Sequence, residues 1–235
     1  MTITEQTTVK EIASALPSSI RVFQRHGIDF CCGGKTPLVD ACREHGIPYE
    51  DLAAAIEIAA AEPEADARDW QTAPLHALID HIVTTYHDPL REELPRLESM
   101  AAKVARVHGA KAPHLIRVDE IVAELSADLR SHMKKEELVL FPAIRAVRES
   151  DAGPALPIAA PIAVMEHEHD LAGALLGELR KLTDGYSAPA WACQTFQALY
   201  HGLAELESTM HVHVHLENNV LFPRALGPAG VRVRA

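Results

Sequence analysis

One eleven-residue pattern occurs twice in this chain. HMKKEELVLFP begins at His132 and HVHLENNVLFP begins at His213. They align without a gap as H-x-x-x-E-x-x-V-L-F-P, 81 residues apart. A His-Asp pair precedes each copy: His87-Asp88 and, 82 residues later, His169-Asp170. The unit is too long and too few in number for a solenoid; it reads as a helical hairpin present in two copies. Each hairpin contributes one His on its first helix and a His-x-x-x-Glu on its second.

Residues four apart lie on one face of a helix, so His132 and Glu136 point the same way, as do His213 and Glu217. Their neighbours define that direction. His132 and Glu136 share a stripe with Ile121, Leu125, Leu129 and Val139; His213 and Glu217 with Leu203, Leu206, Met210, Leu216 and Val220. His87 falls among Val83, Leu90 and Leu94, and His169 among Ile162, Met165, Ala172 and Leu176. Such apolar stripes face a core. Four histidines and two glutamates are thereby expected to meet inside one bundle.

Two buried carboxylates with no Lys or Arg on their stripes are costly, and a metal is the natural compensation. Imidazole mixed with carboxylate in a bundle core suits iron or manganese better than structural zinc, which prefers a closed tetrahedral set. With both glutamates bridging and two histidines per ion, each ion has four protein ligands. An oxo or hydroxo bridge makes five and leaves one position open. The spacing is consistent with this. His87 and His132 are 45 residues apart and His169 and His213 are 44 apart, so each pair sits at a similar height in its hairpin. His108 lies 21 residues beyond His87, about 31 Å along a helix, and is set aside. His211 and His215 lie about 200° around the helix from His213 and are read as surface residues, as is His167. His76 and His81 are read as core-edge or surface residues. Glu168, beside His169, is read either as lining a polar access path or as a plain surface acid.

The rest of the 235 residues fits an all-α fold. Aromatics are only 5%, while Ala and Leu are abundant. Four long helical patterns run over about 74–107, 114–147, 158–182 and 189–226, joined by short Gly-, Pro- or Ser-containing segments; that makes an up-down four-helix bundle. Pro89 and Pro95 are candidate kinks in the first, and Pro142 and Pro223 mark helix disruption. Ahead of the bundle, residues 1–62 read as four short helices over 9–16, 19–26, 37–45 and 49–61, with a DFCCGGK turn between the second and third. So small a module has a marginal core and is expected to lean on a partner or on the rest of the chain. The expected segments are 1–62, a Pro-rich charged linker at 63–73, the bundle at 74–227 and a tail at 228–235.

A net charge of −11 argues against nucleic-acid binding. No segment has 18 continuous apolar residues and the N-terminus lacks a basic start, so neither a membrane span nor a signal peptide is expected. The four cysteines, Cys31, Cys32, Cys42 and Cys193, suggest no disulfide framework. The expected compartment is the cytoplasm.

The paired His and His-x-x-x-Glu hairpins resemble the haemerythrin-like superfamily. Together with the DFCCGG turn, the VLFP repeats and HEHD, nearly the whole chain resembles the iron–sulfur cluster repair di-iron proteins. The resemblance implies a cytoplasmic protein, induced by nitrosative and oxidative stress, that restores damaged iron–sulfur clusters by donating iron. It places the metal ligands on His87, His132, Glu136, His169, His213 and Glu217, and the family's paired thiols on Cys31 and Cys32. From the residues alone, these thiols are small buried groups at a turn, or a pair that holds iron transiently or exchanges thiols with a partner. Asp128 stands where the family pattern has Glu. The implied partners are damaged or apo iron–sulfur proteins and small gases such as NO and O2. A second reading is reduction of nitric oxide, or of a peroxide, at the di-iron centre. A third is O2 or NO binding or sensing. The ligand count speaks against the third, because oxygen carriers in this superfamily hold their iron with five histidines. A homodimer is the expected assembly.

Overall fold

The structure is a computed structural model, and it describes residues 2–61, 69–149 and 158–230. The expected linker at 63–73 and tail at 228–235 fall partly outside these residues. Every regular element among them is helical, and none of these helices is long and apolar enough to cross a membrane. Two compact units are present. One comprises Met1–Leu78 with His211–Ala235 and the other Ile79–Met210.

In the first unit, α1 (Val9–Ala15), α2 (Ser19–His26), α3 (Leu38–His45) and α4 (Tyr49–Ala61) follow the expected pattern. Thr8 caps α1 through a reciprocal box. Its hydroxyl accepts from Glu11 N–H, and the Glu11 carboxylate accepts from Thr8 N–H. Ser18, just ahead of α2, makes no side-chain capping bond. At its other end the helix is stopped by Gly27, whose φ of 68° is left-handed. Val9, Ile12, Phe23, Phe30, Leu38, Leu52 and Ile56 are fully buried in one cluster, and Val212 packs against it. The Arg224 guanidinium, on α11 (Phe222–Gly230), donates to the carbonyls of Trp70 and Ala73 at 2.6 Å each. The small core predicted to need support therefore draws it from residues beyond 210 in the same chain.

After the short α5 (Leu75–Ile82), α6 (Asp88–His108), α7 (His114–Lys135), α9 (Ala159–Leu182) and α10 (Gln194–Leu216) are the four long helices, with α8 (Phe141–Glu149) following α7; the unit boundary falls within α10. They close a ring. Arg130 of α7 binds Glu98 of α6, and Arg117 of α7 grips Glu178 of α9 with two N–H groups at 2.8 and 3.1 Å. Arg180 of α9 binds Glu207 of α10, and Gly202 of α10 sits against Leu97 of α6. Exposed ion pairs add little. The stripes behind them, Leu90, Leu94 and Leu97, Ile121, Leu125 and Leu129, Ile162, Met165 and Leu176, and Leu199, Leu203 and Leu206, are all buried. At about 1.5–3 kcal/mol per fully buried aliphatic side chain, they carry the bundle.

Three of the long patterns are not continuous α-helices. Single π turns interrupt them at Val83–His87, Glu136–Leu140 and Glu217–Leu221. Each ends two residues before a proline: Pro89, Pro142 and Pro223. Proline has no N–H to give to the preceding turn and its ring crowds the carbonyl there. A π turn shifts that ladder by one residue and lets the helix continue. The expected disruption at Pro142 and Pro223 thus takes the form of a π turn just ahead of each. Pro95 is simply enclosed in α6.

Candidate metal centre

The π turns and the predicted ligands coincide. His87 ends the first, Glu136 opens the second and Glu217 opens the third. π turns gather at functional sites because the extra residue re-aims side chains without breaking the helix. It also changes which residues face inward. Val139, assigned to the core stripe by α-helical spacing, is 59% exposed, while Leu140 is buried. That expectation is corrected for Val139; the equivalent Val220 is buried.

Within the second unit, His87, His132, Glu136 and His169 are buried together. Glu136 Oε2 lies 3.5 Å from His87 Nε2 and 3.4 Å from His132 Nε2. His169 Nε2 is 3.0 Å from His132 Nε2. The donor atoms of His132, Glu136 and His169 all lie within 4.8 Å of one another. Glu136 is 0% exposed, and neither of its carboxylate oxygens has a hydrogen-bond donor. A buried carboxylate of that kind, faced by several Nε2 atoms, lacks only a cation, and the donor set fits a metal ion.

The outer nitrogens of two of these rings are held by carboxylates from other helices. Glu137 Oε1 is 2.7 Å from His87 Nδ1 and is also bound by Arg91, which pairs with Asp88. Glu168 Oε2 is 2.9 Å from His132 Nδ1, and its other oxygen takes the Lys135 ammonium. Partial burial raises the Glu168 pKa, but the bonds from Lys135 and His132 outweigh it and hold the carboxyl below its usual range. With Nδ1 committed to a carboxylate, each ring presents Nε2 inward, an arrangement familiar around metal-bound histidines. Glu168, read from sequence as lining a polar access path or as a surface acid, is part-exposed and bonds the outer nitrogen of His132. Glu137, Arg91 and Lys135 were not singled out by sequence. For Glu137 and Lys135 the signal was the Lys-Lys-Glu-Glu run inside the first motif.

In the first unit, His213 and Glu217 bracket the end of α10. His213 Nε2 is 3.1 Å from Glu217 Oε1, and both side chains are buried. His215 is buried too, which corrects its reading as a surface residue. Its ring packs edge-on to Phe30, its Nδ1 lies 3.2 Å from the Phe30 carbonyl, and burial pushes its pKa down to about 4. His211 also edges onto Phe30 and is half-buried. The face that His211 and His215 reach is covered by the Cys-Cys turn.

That turn is built around Asp29. Its carboxylate accepts N–H bonds from Cys31 at 2.8 Å, Cys32 at 3.1 Å and Gly33 at 2.7 Å, and the Cys31 S–H at 3.2 Å. Burial raises the Asp29 pKa, but these donors together hold it below the usual range. Gly34 is required because a Cβ there would sit 2.7 Å from the Phe30 carbonyl oxygen. The Sγ atoms of Cys31 and Cys32 are 3.7 Å apart. The Asn219 amide donates to the carbonyls of Phe30 and Cys31, so the turn is fastened to the π turn that Glu217 opens.

The remaining histidines lie elsewhere. His108 Nε2 is 3.3 Å from Cys193 Sγ and its ring packs on Trp191. His76 and His167 are exposed. His81 meets Thr85 and the edge of Tyr86.

Residues 78–225 match the haemerythrin HHE cation binding domain, and residues 5–60 match a domain of unknown function, DUF542. Among curated proteins, the chain is 44% identical over 218 residues to the iron–sulfur cluster repair protein YtfE of Pectobacterium atrosepticum, covering 92% of this chain and 95% of that one. It is 43% identical over 221 residues to the protein of the same name from Musicola paradisiaca, covering 92% and 94%. It is 44% identical over 218 residues to that from Yersinia pestis, again covering 92% and 94%. The chain belongs to the family of iron–sulfur cluster repair proteins that carry a haemerythrin HHE cation-binding domain.

Proposed function

We propose that this protein restores damaged iron–sulfur clusters by giving up iron held at a two-iron centre, with His87, His132, Glu136, His169, His213 and Glu217 as ligands. The observation that carries the reading is Glu136, a fully buried carboxylate without a hydrogen-bond donor, facing the Nε2 atoms of His87 and His132. The sequence repeat extends the reading to His213 and Glu217, which repeat the His132–Glu136 spacing and likewise run into a π turn. Matches to two family domains over 5–60 and 78–225 support a two-domain chain with the thiol turn in the first.

Iron here is cargo as much as cofactor. Bound to imidazole and carboxylate, it supplies a Lewis-acidic, redox-active cation with room for exchangeable ligands. The residues of the chain bind it, fix the histidine tautomers through Glu137 and Glu168, and exclude water with the buried stripes. Glu137 and Glu168 are about one-quarter exposed. Each therefore connects solvent with the outer nitrogen of a buried histidine, and this favours a centre whose ligands can be loosened from outside. The apo iron–sulfur protein is the proposed partner and the cytoplasm the proposed compartment.

The test is to load the protein with iron, mix it with an apo iron–sulfur enzyme with and without a chelator, and follow recovery of the cluster. Recovery that the Glu136→Ala, Glu217→Ala double variant cannot support is expected. Nitrous oxide measured in parallel under nitric oxide decides the second reading: catalytic nitrous oxide without cluster recovery would overturn the proposal in favour of a nitric oxide reductase.

A further inference from the structure

Cys31 and Cys32 differ in ways that their adjacency conceals. The Cys31 side chain is buried and its S–H is spoken for: it reaches Asp29 Oδ1 at 3.2 Å and Cys32 Sγ at 3.7 Å. Cys32 is half-buried. The hydrogen bond to Cys32, burial and the Asp29 carboxylate all push the Cys31 thiol well up, so it stays protonated while Cys32 meets solvent. Asp29 meanwhile fixes the backbone of both cysteines through three N–H bonds, so the two sulfurs are held in reach of each other.

The geometry points to a dithiol–disulfide exchange site in this turn, with Cys32 as the attacking thiol, Cys31 as the resolving thiol, Asp29 as the group that holds the two in reach, and a small-molecule or protein disulfide as substrate. In the first step Cys32 Sγ bonds to one sulfur of the disulfide. The sulfur–sulfur bond breaks, and the departing thiolate takes up the equivalent of the proton Cys32 released. In the second step Cys31 Sγ attacks Cys32 Sγ, the bond between Cys32 and the substrate sulfur breaks, and the Cys31 proton goes to the departing thiolate, which leaves as the second thiol. Two electrons have moved from the chain to the substrate. Adjacent Cα atoms are only about 3.8 Å apart, closer than disulfides usually span, so the closed pair is strained and easily reopened. It closes against a disulfide substrate and reopens by exchange with two equivalents of a small-molecule thiol, which leave as their disulfide.

The site has an output. The Cys31 carbonyl accepts from Asn219, two residues along the same π turn from Glu217. Closing the pair must rotate the peptide between the cysteines and so release or redirect that bond. This output rests on the proposed role of Glu217 as a metal ligand; the exchange chemistry does not.

Oxidised glutathione is the probe, applied to the full chain in a Cys193→Ser background that removes the exposed thiol. Intact-mass and peptide analysis is expected to find a glutathione adduct trapped on Cys32 in the Cys31→Ser variant and none on Cys31 in the Cys32→Ser variant. An adduct on Cys31, or none on Cys32, would overturn the assignment. Asp29→Ala is expected to let the adduct on Cys32 persist several-fold longer, because the N–H bonds that hold the two sulfurs in reach are lost. For the output, iron loss to a chelator is followed before and after oxidation. Loss is expected to speed up several-fold, and the increment to vanish in Cys32→Ser and in Asn219→Ala. Oxidation verified by mass with unchanged iron loss overturns the link to Glu217. A protein that never retains iron instead overturns the metal-centre reading and leaves the exchange result standing.

Discussion

His87 Nδ1 lies 2.7 Å from Glu137 Oε1, although the two residues are 50 positions apart and stand on different helices. Glu137 follows directly on Glu136, whose carboxylate faces the other nitrogen of the same ring. One π turn thus supplies both the neighbour of His87 Nε2 and the anchor of its Nδ1. Removing outer carboxylates of this kind weakens metal sites by about 10–100-fold. Glu137→Ala is expected to weaken iron binding by that factor in chelator competition, and Glu137→Gln by less, because the amide oxygen still accepts from Nδ1–H. An unchanged affinity in a folded Glu137→Ala protein would remove Glu137 from the site.

Glu136 carries the opposite signature in the metal-free protein. A fully buried carboxylate without a donor is destabilising until a cation arrives. Glu136→Gln is expected to raise the stability of the metal-free protein by about 1–3 kcal/mol and to cancel the rise in Tm that iron gives the wild type. Calorimetry with and without iron reads both. Loss of stability in the metal-free variant would show that Glu136 is satisfied by its histidines alone.

Asp29 gives a pH dependence with a definite sign. Its folded pKa is depressed, so its contribution is present above the ordinary carboxylate range near ~3.9 and is lost as the pH falls through the folded value. Unfolding free energies from urea titrations of the wild type and Asp29→Ala are expected to differ by about 1–3 kcal/mol near neutrality and to converge as the pH falls below the folded value. A difference that persists in acid would assign the effect to packing instead of charge.

Gly202 tests the α6–α10 contact. A Cβ at this position would lie 2.8 Å from Leu97 Cδ2 and 3.0 Å from an Arg96 nitrogen. Alanine recovers about 1 kcal/mol of helix propensity, which offsets much of the crowding. Valine does not, and overpacking of this kind costs about 1–3 kcal/mol. Gly202→Val is expected to lower the urea midpoint while Gly202→Ala stays close to wild type.

The repeat of H-x-x-x-E-x-x-V-L-F-P and the spacing of its partner histidines made the helices and the inward direction of His87, His132, Glu136 and His169 legible, because an α-helix turns by a fixed angle and apolar stripes must be buried. The helical character of the first 61 residues was legible for the same reason, with Gly27 and Gly46 as its stops. Three things were settled only in three dimensions. The π turns ahead of Pro89, Pro142 and Pro223 displace the helical register by one residue, and of the two equivalent valines Val139 faces solvent while Val220 is buried. The anchors Glu137 and Glu168 reach their histidines across helices, and no period within one helix encodes a contact between two. His215 and Asn219 became ligands of the Cys31 turn because residues nearly two hundred positions away in sequence fold onto them. Sequence specifies which face of each helix is apolar; which side chain closes over that face depends on the packing of segments that the chain brings together only when folded.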